Sequence, residues 1–194
     1  MLLHDWSAVK GVTRDVYEVK DKRIFLRRMA FDLHCRNLVA VSWPEWHAAV
    51  GRFVGAVVPP REATDFLKEL VESNNAIFQN ANGKWGLGHL QYQEYLAAVE
   101  LAENRDLSVL DKVGNSWWSE ILEMYAEITQ DVGHVIRHFR NSDRLRFVLK
   151  DLMRMLKRAP HTNPSERKLL EDAQAIEASF ETDPDLELSP LEQV

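Results

Sequence analysis

Apolar residues recur with a helical period along most of the chain and alternate strand-like in one place only. Between Asp21 and Asn37, Ile24, Phe25, Met29, Phe31 and Leu33 stand among Lys22, Arg23, Arg27 and Arg28 at roughly helical spacing, which predicts an amphipathic helix with those cations on its wet side. Ser42-Trp43-Pro44-Glu45 follows with a serine cap, a first-turn proline and a glutamate at the third helical position, so a helix is expected from there to about Ala56. Pro59-Pro60 stops it. Ala63, Phe66, Leu67, Leu70 and Val71 then form the stripe of a third helix packed on one face, ended by Ser73-Asn74-Asn75.

The alternating stretch comes next. Ala76 to Gln79 and Lys84 to His89 flank Asn82-Gly83, a pair that tolerates the positive φ angles of a tight turn, and together they predict a β-hairpin. Trp85, Leu87 and His89 share one face at period two, which would leave His89 at the end of the hairpin. Three helices followed by one hairpin make a winged-helix pattern.

Beyond it the pattern is helical again. Tyr92 to Glu103 reads as a helix; a second, led by Ser116, carries Trp117, Trp118, Ile121, Leu122, Tyr125 and Ile128; a longer one runs through Leu145, Val148, Leu149, Leu152 and Leu156. Asn163-Pro164-Ser165-Glu166 opens a last helix with Leu169, Leu170, Ala173, Ile176 and Phe180 expected inward. The fold class is therefore mainly α: a winged-helix domain with one hairpin, then a helical domain of antiparallel pairs. The expected divisions are 1–20 as a linker or helix remnant, 21–104 as the winged-helix-like domain, 105–180 as the helical domain and 181–194 as an acidic flexible tail, whose five acids, two prolines and lack of any cation leave too little to bury.

Composition narrows the chemistry. With 194 residues, 45% of them hydrophobic, the chain can bury a substantial core, and a net charge of -6 disfavours wholesale nucleic-acid binding. The lone Cys35 permits no internal disulfide and fits a reducing compartment, so the expected location is cytoplasmic. No stretch approaches a membrane span, and Met1-Leu2-Leu3-His4-Asp5 lacks the features of a signal peptide. No G-x-x-x-x-G-K-[ST] occurs; Asn82-Gly83-Lys84-Trp85 is a turn without the phosphate-cradling spacing.

His134 and His138 sit at i, i+4, a spacing that holds a metal only with further ligands, and no metal site is expected. His34 and Cys35 are adjacent on a helix and point about 100° apart, so they cannot act as base and nucleophile, and the thiol is expected to be buried and inert. His134 to Arg158 holds eight Lys or Arg against two Asp, the pattern of a solvated face or of a surface for an acidic partner. Trp43, Trp46, Trp85, Trp117 and Trp118 are spaced as packing residues and not interleaved with that basic run.

One block carries a resemblance. Leu87-x-His89-x-x-Tyr92-Gln93-Glu94-Tyr95-x-Ala97-Ala98 resembles the aromatic-x-His-x-x-aromatic-Gln-Glu-aromatic-x-Ala-Ala motif near the end of the NACHT module in STAND-class NTPases, the group that includes the nucleotide-binding leucine-rich-repeat receptors. Lys22, Leu26, Met29 and Ala30, after Trp6, resemble the helix opening that family's winged-helix domain, and Trp117-Trp118-x-Glu120 resembles its tryptophan-rich helix start, so the likeness spans roughly Leu2 to Ile128. Leu87 replaces the usual aromatic, and Gln91 stands where Ser or Thr is common.

The resemblance implies a regulatory half of such a switch. In the family the histidine matching His89 reaches the β-phosphate of bound ADP and ties the winged helix to the nucleotide-binding domain. Leu87, Tyr92, Gln93, Glu94, Tyr95, Ala97, Ala98, Trp117 and Trp118 would be structural parts of the motif, with a capping or inter-helix role for Gln93 and Glu94. No catalytic residue is implied, and the chain alone is expected to bind no cofactor and to hydrolyse nothing; ADP or ATP with Mg²⁺ belongs to the parent NTPase. The implied partners are an upstream NTPase domain, in the same or a separate chain, and further copies of the parent in a homo-oligomer. The competing readings are a nucleic-acid-binding winged helix, using Arg61 to Asn74 for recognition, and a small helical adaptor.

Overall fold

The first predicted helix forms as α1, Val19–Cys35: Phe25, Leu26, Met29, Ala30 and Leu33 have no exposed surface, while Ile24 and Phe31 of the expected stripe are half-buried. The computed structural model describes residues 16–104 and 108–182, so Trp6, Phe180's side chain and the acidic segment 183–194 lie outside the described residues. Lys22 and His34 are also fully buried, which corrects the placement of Lys22 among the solvent-facing cations. The reason is tertiary. The Lys22 ammonium pairs with the carboxylate of Glu69, whose other oxygen accepts from the Val16 N–H at 3.1 Å, so the charge enters the interior with its counter-charge.

Helix α2, Trp43–Val54, begins with the predicted capping box: Glu45 accepts from the Ser42 N–H at 3.1 Å and from its hydroxyl at 2.9 Å. The Arg36 guanidinium, 2.7 Å away, and these two Ser42 donors hold the Glu45 carboxyl down at about 2. A short 3₁₀ turn at Pro60–Glu62 leads into α3, Ala63–Glu72, which buries Ala63, Phe66, Leu67 and Leu70. The Phe25 ring lies 5.3 Å from Phe66 and 5.9 Å from Trp46, so one aromatic cluster joins α1, α2 and α3.

The sheet differs from expectation by a strand. β1 (Ala40–Val41), β2 (Phe78–Gln79) and β3 (Trp85–Gly86) form an antiparallel sheet in the order β1-β3-β2, with Ala40 opposite Gly86 and Phe78 opposite Gly86 on the other side. Two residues carry no readable alternation, so β1 is defined by its distant partner alone. The turn is also broader than an Asn82-Gly83 pair: the Asn80 carbonyl accepts from the Gly83 N–H at 3.0 Å, its side chain accepts from the Asn82 and Lys84 N–H groups, and Gly83, not Asn82, takes the positive φ. Trp46 donates its indole N–H to the Trp85 carbonyl at 3.0 Å and so fastens α2 to β3.

Helix α4, Leu90–Asn104, packs more extensively against α1 than against any other element. Ala97 and Ala98 are fully buried, and Glu100, 6% exposed, meets Arg27 at 3.4 Å while accepting from Asn104 at 2.6 Å.

A second compact unit begins after the division between Arg105 and Asp106. Its helices are α5 (Ser108–Lys112), α6 (Ser119–Thr129, preceded by a 3₁₀ turn at Ser116–Trp118), α7 (Gly133–Phe139), α8 (Leu145–Arg158) and α9 (Pro164–Thr182). The Asn163 side chain accepts from the Ser165 N–H at 2.9 Å, the expected cap of α9. Trp118, Ile121, Ile136, Phe139, Leu152 and Met155 form the centre of this core. Arg167 near the start of α9 reaches the Ala159 carbonyl after α8, and Glu177 near its end meets Arg146 at the start of α8, so the two helices run antiparallel. Ile176 was expected inward but is 58% exposed, because no described element covers that end of the α8–α9 pair. Nine α-helices and three short strands among the described residues make the chain mainly helical, and no described helix is long and apolar enough to cross a membrane.

Two outcomes are expected. Lys22→Ala strands the buried Glu69 carboxylate and should cost about 3–5 kcal/mol in urea unfolding, while Lys22→Met combined with Glu69→Leu should recover most of it; equal losses would refute the pairing. Removing the Glu45 charge in Glu45→Gln, whose amide oxygen can still accept in the capping box, should weaken the Arg36 pairing and cost about 1 kcal/mol at neutral pH. Because the folded carboxyl titrates below its usual 4.5, that stability difference should be complete above pH 4.5 and vanish as pH falls towards 2, as acid unfolding curves would show.

Candidate functional site

The junction from β3 into α4 concentrates the unusual geometry of the first unit. Leu87 is buried at 3% exposure, and Gly88 then takes φ +82°, where a Cβ would also come within 3.1 Å of the Phe78 ring. This left-handed residue breaks the period-two alternation. His89 therefore does not continue the face of Trp85 and Leu87, as its spacing predicts, but is turned out to solvent.

The His89 carbonyl accepts from the N–H groups of Tyr92 at 3.1 Å and Gln93 at 3.3 Å, so its backbone starts the α4 ladder while its imidazole remains outside the helix. The N–H groups of Leu90 and Gln91, in the first turn, have no preceding helical carbonyl and lie at the positive end of a 15-residue helix dipole. Beside them opens a pocket of about 260 Å³ walled by Val39, Phe78, Leu90, Asn80 and Gln93, with no carboxylate in its lining. An imidazole N–H and helix-start amides in such a place can donate to an anionic oxygen. The pocket lining offers no serine, cysteine or acid for nucleophilic or general-acid chemistry.

Gln93 holds this junction together. It is 1% exposed, and its amide donates to the Leu38 carbonyl at 2.9 Å, fastening the first turn of α4 to the chain that enters β1. The role is inter-element and not a helix cap. Glu94 and Tyr92 are half-buried, burial pushing the Tyr92 phenol up, and Tyr95 is 48% exposed. Trp117 and Trp118 stand in the second unit, Trp118 buried beneath the Lys112 ammonium at 4.7 Å. The structure thus gathers Leu87, His89 and Gln93 at one junction, with Ala97 and Ala98 further along the same helix. Sequence reasoning missed Leu38, Val39 and Phe78, whose parts in the site depend on contacts between elements distant along the chain.

The remaining candidates resolve separately. His134 Nε2 lies 3.2 Å from the Tyr125 hydroxyl, and burial lowers the His134 pKa; no cluster of three potential metal ligands occurs among the described residues. Cys35 is exposed while His34 is buried, the reverse of the expected inert interior thiol, because α1 ends there and turns Cys35 outward. Within the basic stretch, Arg154 and Arg158 both pair with Glu123, at 3.8 and 3.5 Å.

Replacing Gln93 by Leu should leave the Leu38 carbonyl without its donor and cost about 1–3 kcal/mol. Amide hydrogen exchange at β1 should accelerate with it, and unchanged exchange there would remove Gln93 from this role.

Compared with known family models, curated proteins and solved structures, the chain matches none of them.

Proposed function

We propose that this chain is the regulatory half of a NACHT-type switch, in which a winged-helix unit and a helical unit respond to ADP or ATP held by an upstream P-loop domain. The observation that carries the reading is the placement of His89: exposed, at the start of α4, beside a carboxylate-free pocket and two helix-start amides that have no preceding helical carbonyl to donate to. The order helix, strand, two helices and hairpin, with β3 between β1 and β2, supports the winged-helix assignment.

The residues present suit one phosphate group and no more. His89 and the Leu90 and Gln91 amides are donors, whereas the chain contains no glycine-rich phosphate loop and the pocket no acid to hold Mg²⁺. The nucleotide-binding domain would supply the phosphate cradle and the metal; this chain contributes a charge-assisted hydrogen bond that exists only when the two domains are docked. Such a bond shifts a two-state arrangement to the extent that it differs between the ADP and ATP forms. The reading places the protein in the cytoplasm, within a homo-oligomerising parent.

A duplex-reading function is disfavoured by the recognition-helix position itself. Around α3, Arg61 and Lys68 face solvent with Asp65 and Glu72, and Glu62 is half-exposed beside them, so phosphate repulsion opposes attraction.

In the protein assembled with its NTPase domain, His89→Ala removes a hydrogen bond of about 1.5–3 kcal/mol to a charged group and should release ADP about 10- to 150-fold faster. Unchanged ADP retention refutes the role of His89. Magnesium-dependent ATP turnover by the isolated chain that survives His89→Ala refutes the wider proposal.

A further inference from the structure

Helix α8 buries Val148, Leu149, Leu152, Met155 and Leu156, yet it carries one large apolar side chain on its wet side. Phe147 is 82% exposed, the most exposed large hydrophobic residue among those described. We propose that this outer face of α8 docks on a membrane surface of anionic phospholipid, with the Phe147 ring entering the headgroup layer, a contact independent of the nucleotide reading.

The cations around Phe147 are the first argument. At about 100° per residue, Phe147, Lys150, Arg154 and Arg158 follow one line along the helix, and Arg146 and Lys157 flank it. Arg140 and Arg144 are exposed in the turn that leads into α8. From Arg140 to Arg158 there are seven cations and two acids, Asp143 and Asp151, and Asp151 accepts from the Gly114 N–H at 2.9 Å. Arg146 meets Glu177, and Arg154 and Arg158 share Glu123. Arg140, Arg144, Lys150 and Lys157 pair with no carboxylate among the described residues, so the face keeps a positive excess.

Phe147 decides which polyanion fits. An acidic peptide docks in a groove or on a free strand edge. Phe147 instead projects from the convex side of a helix whose backbone bonds are already made, and it lines neither the pocket beside His89 nor the groove between α8 and α9. A single-stranded nucleic acid stacks successive bases on several aromatic rings, and this face offers one. An anionic bilayer needs neither groove nor stacking series. Its surface potential strengthens binding about 5-fold for each nearby Lys or Arg, and clusters of about four to eight of them on an amphipathic helix suit its headgroups. Its interface also takes in a protruding aromatic ring without a preformed pocket.

The test floats the full chain, without nucleotide, on vesicles of phosphatidylcholine alone and of an equal mixture with phosphatidylserine. Binding should occur on the anionic vesicles only and weaken as salt is raised. Lys150→Gln with Lys157→Gln should lower the affinity about 30-fold, and Phe147→Ser about 10-fold, whereas Phe147→Trp should bind as tightly as the unaltered chain. All three positions are exposed, so thermal unfolding should not change. No binding to the anionic vesicles, equal binding to the neutral ones, or affinity indifferent to Phe147→Ser overturns the inference. So does binding to duplex DNA or polyglutamate in place of vesicles, weakened by the same substitutions, which would assign the face to that polyanion.

Discussion

The enclosure of α1 is the constraint on which the first unit depends. Five of its apolar side chains have no exposed surface, and burying each contributes roughly 1–3 kcal/mol, so the helix requires partners around most of its circumference. Those partners are α4, α2 and, through Phe25 and Lys22, α3. Enclosure also takes in two polar side chains, Lys22 and His34. A buried ammonium is tolerable only with a counter-charge at hand, which makes the position of Glu69, and with it α3, a condition of the fold.

The site is a by-product of the same packing. α4 must lie along α1 to bury Leu96, Ala97, Ala98 and Leu101, so its first turn arrives where the chain leaves the sheet. Gly88 makes the sharp change of direction and Gln93 pins the result to Leu38. Exposure of His89 follows from these two devices: the backbone is used in starting the helix, and the side chain has nowhere inward to go.

The second unit is governed by amphipathic α8, which buries Val148, Leu149, Leu152, Met155 and Leu156 and turns its cations outward. Glu123 and Glu177 engage three of those cations, so the basic stretch that stands out in the sequence is partly neutralised by acids from α6 and α9. Lys150 and Lys157 stay exposed in the middle and at the end of the helix.

The sequence by itself determined seven of the nine described helices, the short α5 and α7 excepted, because their signals are local: the capping box at Ser42 and Glu45, the stripe of Phe66, Leu67 and Leu70, the Asn163 cap and the apolar face of α8 all act within a few residues. It also marked the hairpin and His89. Tertiary structure alone decided what depends on residues far apart in the chain: β1 exists only because Trp85 and Gly86 pair with it, Lys22 is interior only because Glu69 reaches it, and Ile176 is outside only because no described element covers it. The outward turn of His89 lies between the two. Its glycine is written in the sequence, but whether Gly88 would bend there or continue the strand was settled by the demand of α4 for a place along α1.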